Sequence, residues 1–203
     1  MKKLLGHLIL FFSRWRWEGP IPTESKYVLI AAPHTTNWDL VHMLALGAVQ
    51  DVSIHWMGKH TLFKFPFGGF MRWTGGIAVD RRSRQNLVEQ LIEEFARRDA
   101  LALAVPAAGT RSRREYWKSG FYWIALGAGV PVVPGFLDYR RKVGGFGEPV
   151  HLTGDVRKDM DVFRAFYSKV TALYPEKVTR VRLREEDEAD AADAAASGEV
   201  APH

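Results

Sequence analysis

The chain has 203 residues, enough for one α/β domain with a sizeable core but short for two independent domains. Hydrophobic residues make up 47% of it and charged residues 25%, a globular composition that excludes disorder over most of the chain. The sequence contains no cysteine, which excludes disulfides, thiolate metal sites and a cysteine nucleophile.

The net charge of +5 conceals an uneven distribution along the chain. Residues 185–203 contain seven acidic side chains and no lysine or arginine, so that the preceding part carries +12. Such a basic body favours an anionic partner, which is a nucleic acid, an acidic substrate or a phospholipid surface. The segment 185–203 has too little hydrophobic surface to fold alone, and we predict a disordered acidic tail.

Residues 1–26 are predicted to form an N-terminal membrane-interface segment. Their apolar stretch, 4–12, is interrupted by His7 and is far shorter than the roughly 20 residues that cross a bilayer. Arginine and tryptophan alternate over 14–17, where a signal peptide would have a small-residue cleavage site. Apolar side chains with basic flanks favour an interfacial helix. The pattern is equally compatible with a first helix that packs on its own domain.

From residue 27 onward, short apolar runs alternate with segments of helical periodicity. The runs predicted to be strands are 27–32, 52–57, 76–80, 101–105 and 130–137. Helices are predicted near 86–95 and 159–173, and 144–147 is predicted to be a turn before a late strand near 150–152. The alternation predicts an α/β domain over 27–184, with a mostly parallel central sheet flanked by helices.

The first segment able to support chemistry follows the first predicted strand and contains His34 and Asp39. Open α/β sheets bind ligands at the carboxyl ends of their strands, where these residues are expected. A neutral imidazole can accept a proton from an alcohol, and a carboxylate can hold its other ring nitrogen. The ordinary structural alternative is a helix start capped by Asn37 with an incidental histidine.

Two further segments supply cations. The loop after the fourth predicted strand contains Ala108, Gly109, Thr110 and Arg111, in which small residues permit close approach and polar groups suit phosphate oxygens. A strand over 76–80 delivers Arg81 to a loop, and upstream residues 58–68 mix cations such as Lys59 with aromatic side chains. Solvated basic turns and core aromatics are the ordinary alternatives.

Taken in order, these segments resemble the motifs of the glycerolipid acyltransferase family, which includes the 1-acylglycerol-3-phosphate acyltransferases. The matching stretches are His34-x4-Asp39, then 77–81 with Lys59 and 66–69 upstream, then 107–112, and finally 130–134. The resemblance extends over roughly 27–140, and four motifs in the same order are far more specific than any one of them.

The resemblance implies acyl transfer from a thioester, acyl-CoA or acyl carrier protein, to a lipid hydroxyl, most simply that of 1-acylglycerol 3-phosphate. It implies His34 and Asp39 as the catalytic pair, and Lys59, Arg81 and Arg111, with Gly109 and Thr110, at the acceptor phosphate. Neither a metal nor a cofactor is expected, because the histidines lack metal-binding spacing. The expected location is peripheral or monotopic, at the cytoplasmic face of the cell membrane beside anionic phospholipids.

One position departs from the family pattern. Ala108 stands where the third motif has a glutamate, which predicts impaired activity, whether the residue is natural or introduced. The alternative function is that of a peripheral membrane protein that kept the fold, lost catalysis and binds anionic lipid. Nucleic-acid binding ranks lowest, because the sequence has no recognisable recognition helix, zinc finger or aromatic RNA-binding strand.

Overall fold

The computed structural model describes residues 1–79 and 84–197, with side chains omitted for 84–86 and 192–197. In this part of the chain the sheet has the strand order β1-β7-β6-β2-β5-β3-β4. All neighbouring strands are parallel except the antiparallel pair β6 and β7. The strands are β1 Arg16–Glu18, β2 Lys26–Ala31, β3 Ile54–Lys59, β4 Gly76–Val79, β5 Leu101–Pro106, β6 Val132–Asp138 and β7 Val143–Phe146. The predicted mostly parallel α/β sheet is confirmed.

Helices cover both faces of the sheet. They are α1 Lys2–Ser13, α2 Trp38–Val49, α3 Gly68–Trp73, α4 Arg84–Arg97, α5 Gly120–Ala128, α6 Val156–Tyr167 and α7 Arg184–Ser197, with 3₁₀ helices at His60–Phe63 and Pro175–Lys177. Alternate side chains of β2 point to opposite faces. Val28 and Ile30 join the large core beneath α4, α5 and α6, whereas Tyr27 and Leu29 join the core beneath α2.

The prediction for the late glycine-rich segment is wrong. Residues 144–146 belong to strand β7 and do not form a turn, while Val150 makes only an isolated bridge to Val132. Glycine permits this strand to lie tightly between its neighbours: a Cβ at Gly145 would lie 1.8 Å from the Glu18 carbonyl oxygen. Composition suggested a turn, but the close approach of β1 explains the glycines.

The N-terminal segment is part of the domain, so the predicted boundary between 26 and 27 does not separate two units. Strand β1 pairs with β7, and α1 packs on α2 through Gly6 and Leu10. The opposite side of α1 is exposed, and its apolar side chains are Leu4, Leu5, Leu8, Phe11 and Phe12. The helix therefore combines core packing with an apolar surface. No helix among residues 1–79 and 84–197 has the length and apolarity to cross a membrane.

The acidic tail is also more ordered than predicted, because residues 184–197 form α7. Glu186 is buried, accepts a hydrogen bond from the Leu183 backbone N–H, and pairs with Arg164 at 2.7 Å. Arg182 binds Asp187 and Asp190. Alanine-rich sequence favours a helix, and the arginines of the basic body fix it in place, which charge counting could not reveal. Residues 198–203 lie outside the described residues.

Candidate active site

The site is built at the carboxyl edge of the parallel sheet. Strand β2 lies between β5 and β6, and β3 lies on the other side of β5, so the loops that follow these strands meet at one edge. The loop after β2 carries His34 and leads into α2, which carries Asp39 in its first turn. The arrangement matches the general location of ligand sites in open α/β sheets.

His34 and Asp39 form a hydrogen-bonded pair. The Nδ1 atom of His34 lies 3.0 Å from Asp39 Oδ2, and the same oxygen accepts the Thr35 and Thr36 backbone N–H groups at 2.8 and 3.0 Å. Asp39 is only 5% exposed, so these donors replace its water. With its Nδ1–H donated to the carboxylate, the imidazole keeps Nε2 as a free acceptor.

Tyr139 is a third member of this network that sequence reasoning missed. Its hydroxyl donates to Asp39 Oδ1 at 2.5 Å. The residue follows the end of β6, and because β6 neighbours β2, its side chain reaches the same sheet edge. Its ring packs edge-on against Trp15, with centroids 4.9 Å apart. The available signal was a tyrosine two residues after the end of a predicted strand.

Electrostatics favour an ionised carboxylate at this site. Burial by itself raises the pKa of Asp39, but hydrogen bonds from His34, Tyr139 and Thr36 outweigh burial and hold that pKa below its ordinary value. Burial, the hydrogen bond to Asp39 and its negative charge all raise the pKa of Tyr139, so its hydroxyl remains a proton donor. The network therefore keeps Asp39 as an ionised acceptor and Tyr139 as a neutral donor.

A cationic groove begins beside His34. Residues from the loops after β2, β3 and β5 line it, among them His34, Lys59, Gly109, Thr110 and Arg111. Its volume, about 1330 Å³, is far larger than a phosphate requires and accommodates part of a lipid. Gly109 has φ of +65°, a conformation that glycine adopts without strain and that turns the loop toward the groove.

Asn37 behaves differently from its predicted capping role. It occupies the N-cap position of α2, but its side chain caps no backbone group there and instead accepts a hydrogen bond from Arg111 Nη1. Asp39 accepts the backbone N–H groups of Thr35 and Thr36, which precede the helix. The bond from Arg111 to Asn37 ties the third motif to the first, because it holds Arg111 beside the loop that carries His34.

Ala108 lies on another side of His34, in a small cavity of about 50 Å³. Thr35 and Lys177 also line this cavity, and the buried Thr35 Oγ1 has no hydrogen-bond partner in the described structure. Ala108 is therefore one of the residues that border the cavity beside His34. Arg81, the remaining predicted phosphate ligand, lies outside the described residues.

A third, apolar cavity of about 140 Å³ also reaches His34. It lies between α2 and the sheet, and its apolar lining includes Leu40, Met43, Leu46, Phe136 and Leu137. Its chemistry suits a hydrocarbon chain. Among residues 1–79 and 84–197, no group of three or more acidic or histidine side chains is placed to hold a metal ion.

Residues 16–137 match the protein family described as Acyltransferase. The chain belongs to this family. The family resemblance predicted from the ordered motifs is thereby confirmed, and the matched segment contains His34, Asp39 and the loop around Arg111.

Relatives of the acyltransferase family carry one recurring name. The chain is 32% identical over 127 residues to the 1-acyl-sn-glycerol-3-phosphate acyltransferase of Haemophilus influenzae, covering 58% of this chain and 51% of that one. It is 33% identical over 123 residues to the Escherichia coli protein of the same name, covering 56% and 49%. The chain thus spans about half the length of the curated relatives it matches.

The fold also resembles a solved member. The crystal structure of PlsC from Thermotoga maritima, the 1-acyl-sn-glycerophosphate (LPA) acyltransferase, superposes with a TM-score of 0.58 at 16% identity. The match covers 83% of this chain and 77% of that one, so the shared fold extends beyond the segment of clear sequence similarity.

Proposed function

We propose that the protein transfers an acyl group from an acyl thioester to the hydroxyl of a lysophospholipid, most simply 1-acylglycerol 3-phosphate. The observation that carries the proposal is the position of His34. This residue, paired with Asp39, lies where an apolar cavity meets a groove containing Lys59 and Arg111. Apolar surface, cationic groups and a general base are the elements that this reaction requires, and the names of the relatives support the same acceptor.

In the proposed mechanism, the acceptor hydroxyl donates its proton to His34 Nε2 as its oxygen attacks the thioester carbonyl carbon. The resulting tetrahedral intermediate collapses, the carbon–sulfur bond breaks, and the proton passes from the imidazolium to the departing thiolate. Asp39 stabilises the imidazolium that forms between these steps. Direct attack is favoured because the chain has no cysteine and no Gly-x-Ser-x-Gly motif to carry an acyl-enzyme intermediate.

The acceptor phosphate is assigned to the cationic side of the groove. Arg111 can present a planar pair of donors to phosphate oxygens, and Lys59 adds a second positive charge. Arg81 remains a predicted third ligand. The acyl donor is acyl-CoA or acyl carrier protein, and neither a metal nor a cofactor takes part.

Membrane association is proposed for the exposed apolar side of α1. Leu4, Leu8, Phe11 and Phe12 are all exposed, and lysines begin the helix. An amphipathic helix of this kind lies in the interface plane, with anionic phospholipids attracting its cations. We therefore propose a peripheral or monotopic location at the cytoplasmic face of the cell membrane.

A second candidate function rests on Ala108. In the family motif a glutamate precedes Gly-Thr-Arg, and its replacement favours a lipid-binding protein without turnover. The intact pair of His34 and Asp39 favours catalysis instead, because its donors are arranged for a general base.

Acyl transfer from labelled acyl-CoA and acyl carrier protein to lysophosphatidate tests both functions. We expect Ala108→Glu to raise turnover and an added His34→Ala to abolish it, with His151→Ala, at an exposed histidine, as the matched control. Activity that persists in the Ala108→Glu/His34→Ala protein would refute the role of His34. If both the wild type and Ala108→Glu bind lipid and neither shows turnover, the second function is selected.

A further inference from the structure

The segment between β3 and α4 carries large apolar side chains that the core does not use. We call residues 62–70, which run from the end of the 3₁₀ helix to the first residues of α3, the aromatic loop. Leu62 is 46% exposed, Phe65 98%, Phe67 65% and Phe70 57%. Single exposed apolar residues are common on protein surfaces, but four within nine residues form a patch that points to a binding surface.

The backbone of the aromatic loop is held by a buried side chain and a backbone hydrogen bond. Lack of local structure therefore does not explain the exposed rings. Phe63 is buried, and the Gly68 N–H closes a turn on the Lys64 carbonyl oxygen at 2.8 Å. A Cβ at Gly68 would lie 2.1 Å from the Phe63 carbonyl oxygen, so glycine is required for this tight approach. Buried Phe63 and the turn at Gly68 together hold Phe65 and Phe67 outward.

The aromatic loop and α1 flank the same groove. Leu62 and Phe70 line it together with Met1 and with Leu5 of α1, and the lining also includes His34. Lys2 Nζ lies 5.4 Å from the centre of the Trp73 ring, which places the start of α1 beside α3. The two exposed apolar surfaces therefore border one opening of the groove.

Charge within the chain segment that contains the aromatic loop has a single sign. Residues 52–79 contain no aspartate or glutamate, while Lys59, Lys64 and Arg72 are all cationic. Aromatic rings among cations match an anionic bilayer, whose headgroups attract the cations while the acyl region accepts the rings. An acidic protein partner would account for the cations but not for the fully exposed ring of Phe65.

We propose that the aromatic loop is a second membrane-inserting element, which acts with α1 to dock the protein on an anionic bilayer. The choice of a lipid surface as partner rests on the proposed function, because a lipid substrate must enter the groove from a bilayer. Docking through both borders turns the groove opening toward the membrane. The acyl chains can then pass between bilayer and His34 without crossing water.

The absence of native cysteine makes a direct test simple, since one introduced thiol can be labelled specifically. Phe65→Cys carries an environment-sensitive fluorophore in the 203-residue chain, and Val162→Cys, at an exposed position of α6, is the matched control. With vesicles of phosphatidylcholine and phosphatidylglycerol, we expect a blue shift and increased emission at residue 65 only. Unchanged emission at residue 65 on vesicles that bind the protein would overturn the proposal.

Sedimentation with the same vesicles tests the contribution to affinity. Phe65→Ala/Phe67→Ala should weaken binding by tenfold or more, because two exposed phenyl rings no longer enter the bilayer. Trp123→Ala/Val162→Ala, which also removes two exposed apolar side chains, should leave binding unchanged. Equal vesicle binding by the two double variants would refute insertion.

Failure of docking and failure of the proposed function give different results. Turnover of a short-chain, water-soluble lysophosphatidate should survive Phe65→Ala/Phe67→Ala, since neither ring lines the groove. If no variant transfers acyl groups, the vesicle and fluorescence measurements still decide the docking. If short-chain turnover fell with vesicle binding intact, the aromatic loop would serve the site and not the membrane.

Discussion

Tyr139→Phe isolates one hydrogen bond at the centre of the site. The substitution removes the hydroxyl that donates to Asp39 Oδ1 at 2.5 Å and keeps the ring that packs on Trp15. Asp39 is 5% exposed, so water cannot simply replace the lost donor. We therefore class Tyr139 as a positioning residue that acts on His34 through Asp39.

The free energy of this hydrogen bond follows from the charge and burial of Asp39. A hydrogen bond to a charged group contributes about 1.5–3 kcal/mol, and the buried Asp39 oxygen left without a donor places this case within that range. The pKa of Asp39 lies below its ordinary value in the folded protein, so its stabilising contribution is present at neutral pH and is lost as the pH falls through that lowered pKa. Tyr139→Phe raises that pKa and reduces the contribution.

Denaturant unfolding of both proteins at neutral and acidic pH measures this effect. We expect Tyr139→Phe to lower the unfolding free energy at pH 7, with a difference that narrows below about pH 4, where carboxylates protonate. The variant should also reduce kcat more than it changes KM.

Tyr116→Phe supplies the control, because the Tyr116 hydroxyl donates to Asp187, which is accessible to solvent. Its loss should change the unfolding free energy little and leave kcat unchanged. Two results would refute the reasoning about Tyr139: equal stability of wild type and Tyr139→Phe at pH 7, or an equal kcat of the two proteins.

Three further substitutions examine separate parts of the molecule. Glu186→Ala should lower the unfolding free energy by about 2 kcal/mol, because Arg164 loses a partner at 2.7 Å; an unchanged denaturation midpoint would show that α7 does not stabilise the domain. Gly6→Leu should destabilise by about 1–3 kcal/mol, since even its Cβ would lie 2.8 Å from the Ala45 carbonyl oxygen, whereas Leu4→Ala on the exposed side should have little effect in the same assay. Arg111→Ala should raise KM for lysophosphatidate roughly 10- to 100-fold but not for neutral monoacylglycerol, and an equal rise for both acceptors would remove Arg111 from the phosphate site.

Much of the fold was accessible from local pattern. Buried parallel strands appear in the sequence as short apolar runs, and β2, β5 and β6 lie close to their predicted positions. The motif spacing also placed His34 and Arg111 at one sheet edge, because consecutive strand ends in a parallel sheet share that edge. Family membership followed from four weak signals in a fixed order.

Local pattern failed where a distant partner determined the structure. Residues 144–146 form a strand because Gly145 admits the Glu18 backbone, and residues 184–197 form a helix docked through Glu186 and Arg164. Neither partner is near in sequence, so composition alone suggested a turn and a disordered tail.

The sequence by itself predicted the fold class, the acyltransferase family and the pairing of His34 with Asp39. Each prediction depended on the types of residue and on their spacing along the chain. Its basic body and lack of cysteine also led to the proposal of direct acyl transfer to an anionic acceptor. Only the tertiary structure placed the Tyr139 hydroxyl on Asp39, a contact across 100 residues. It alone also brought α1 beside the aromatic loop, because packing between helices and loops depends on the shape of the whole domain and not on any local period.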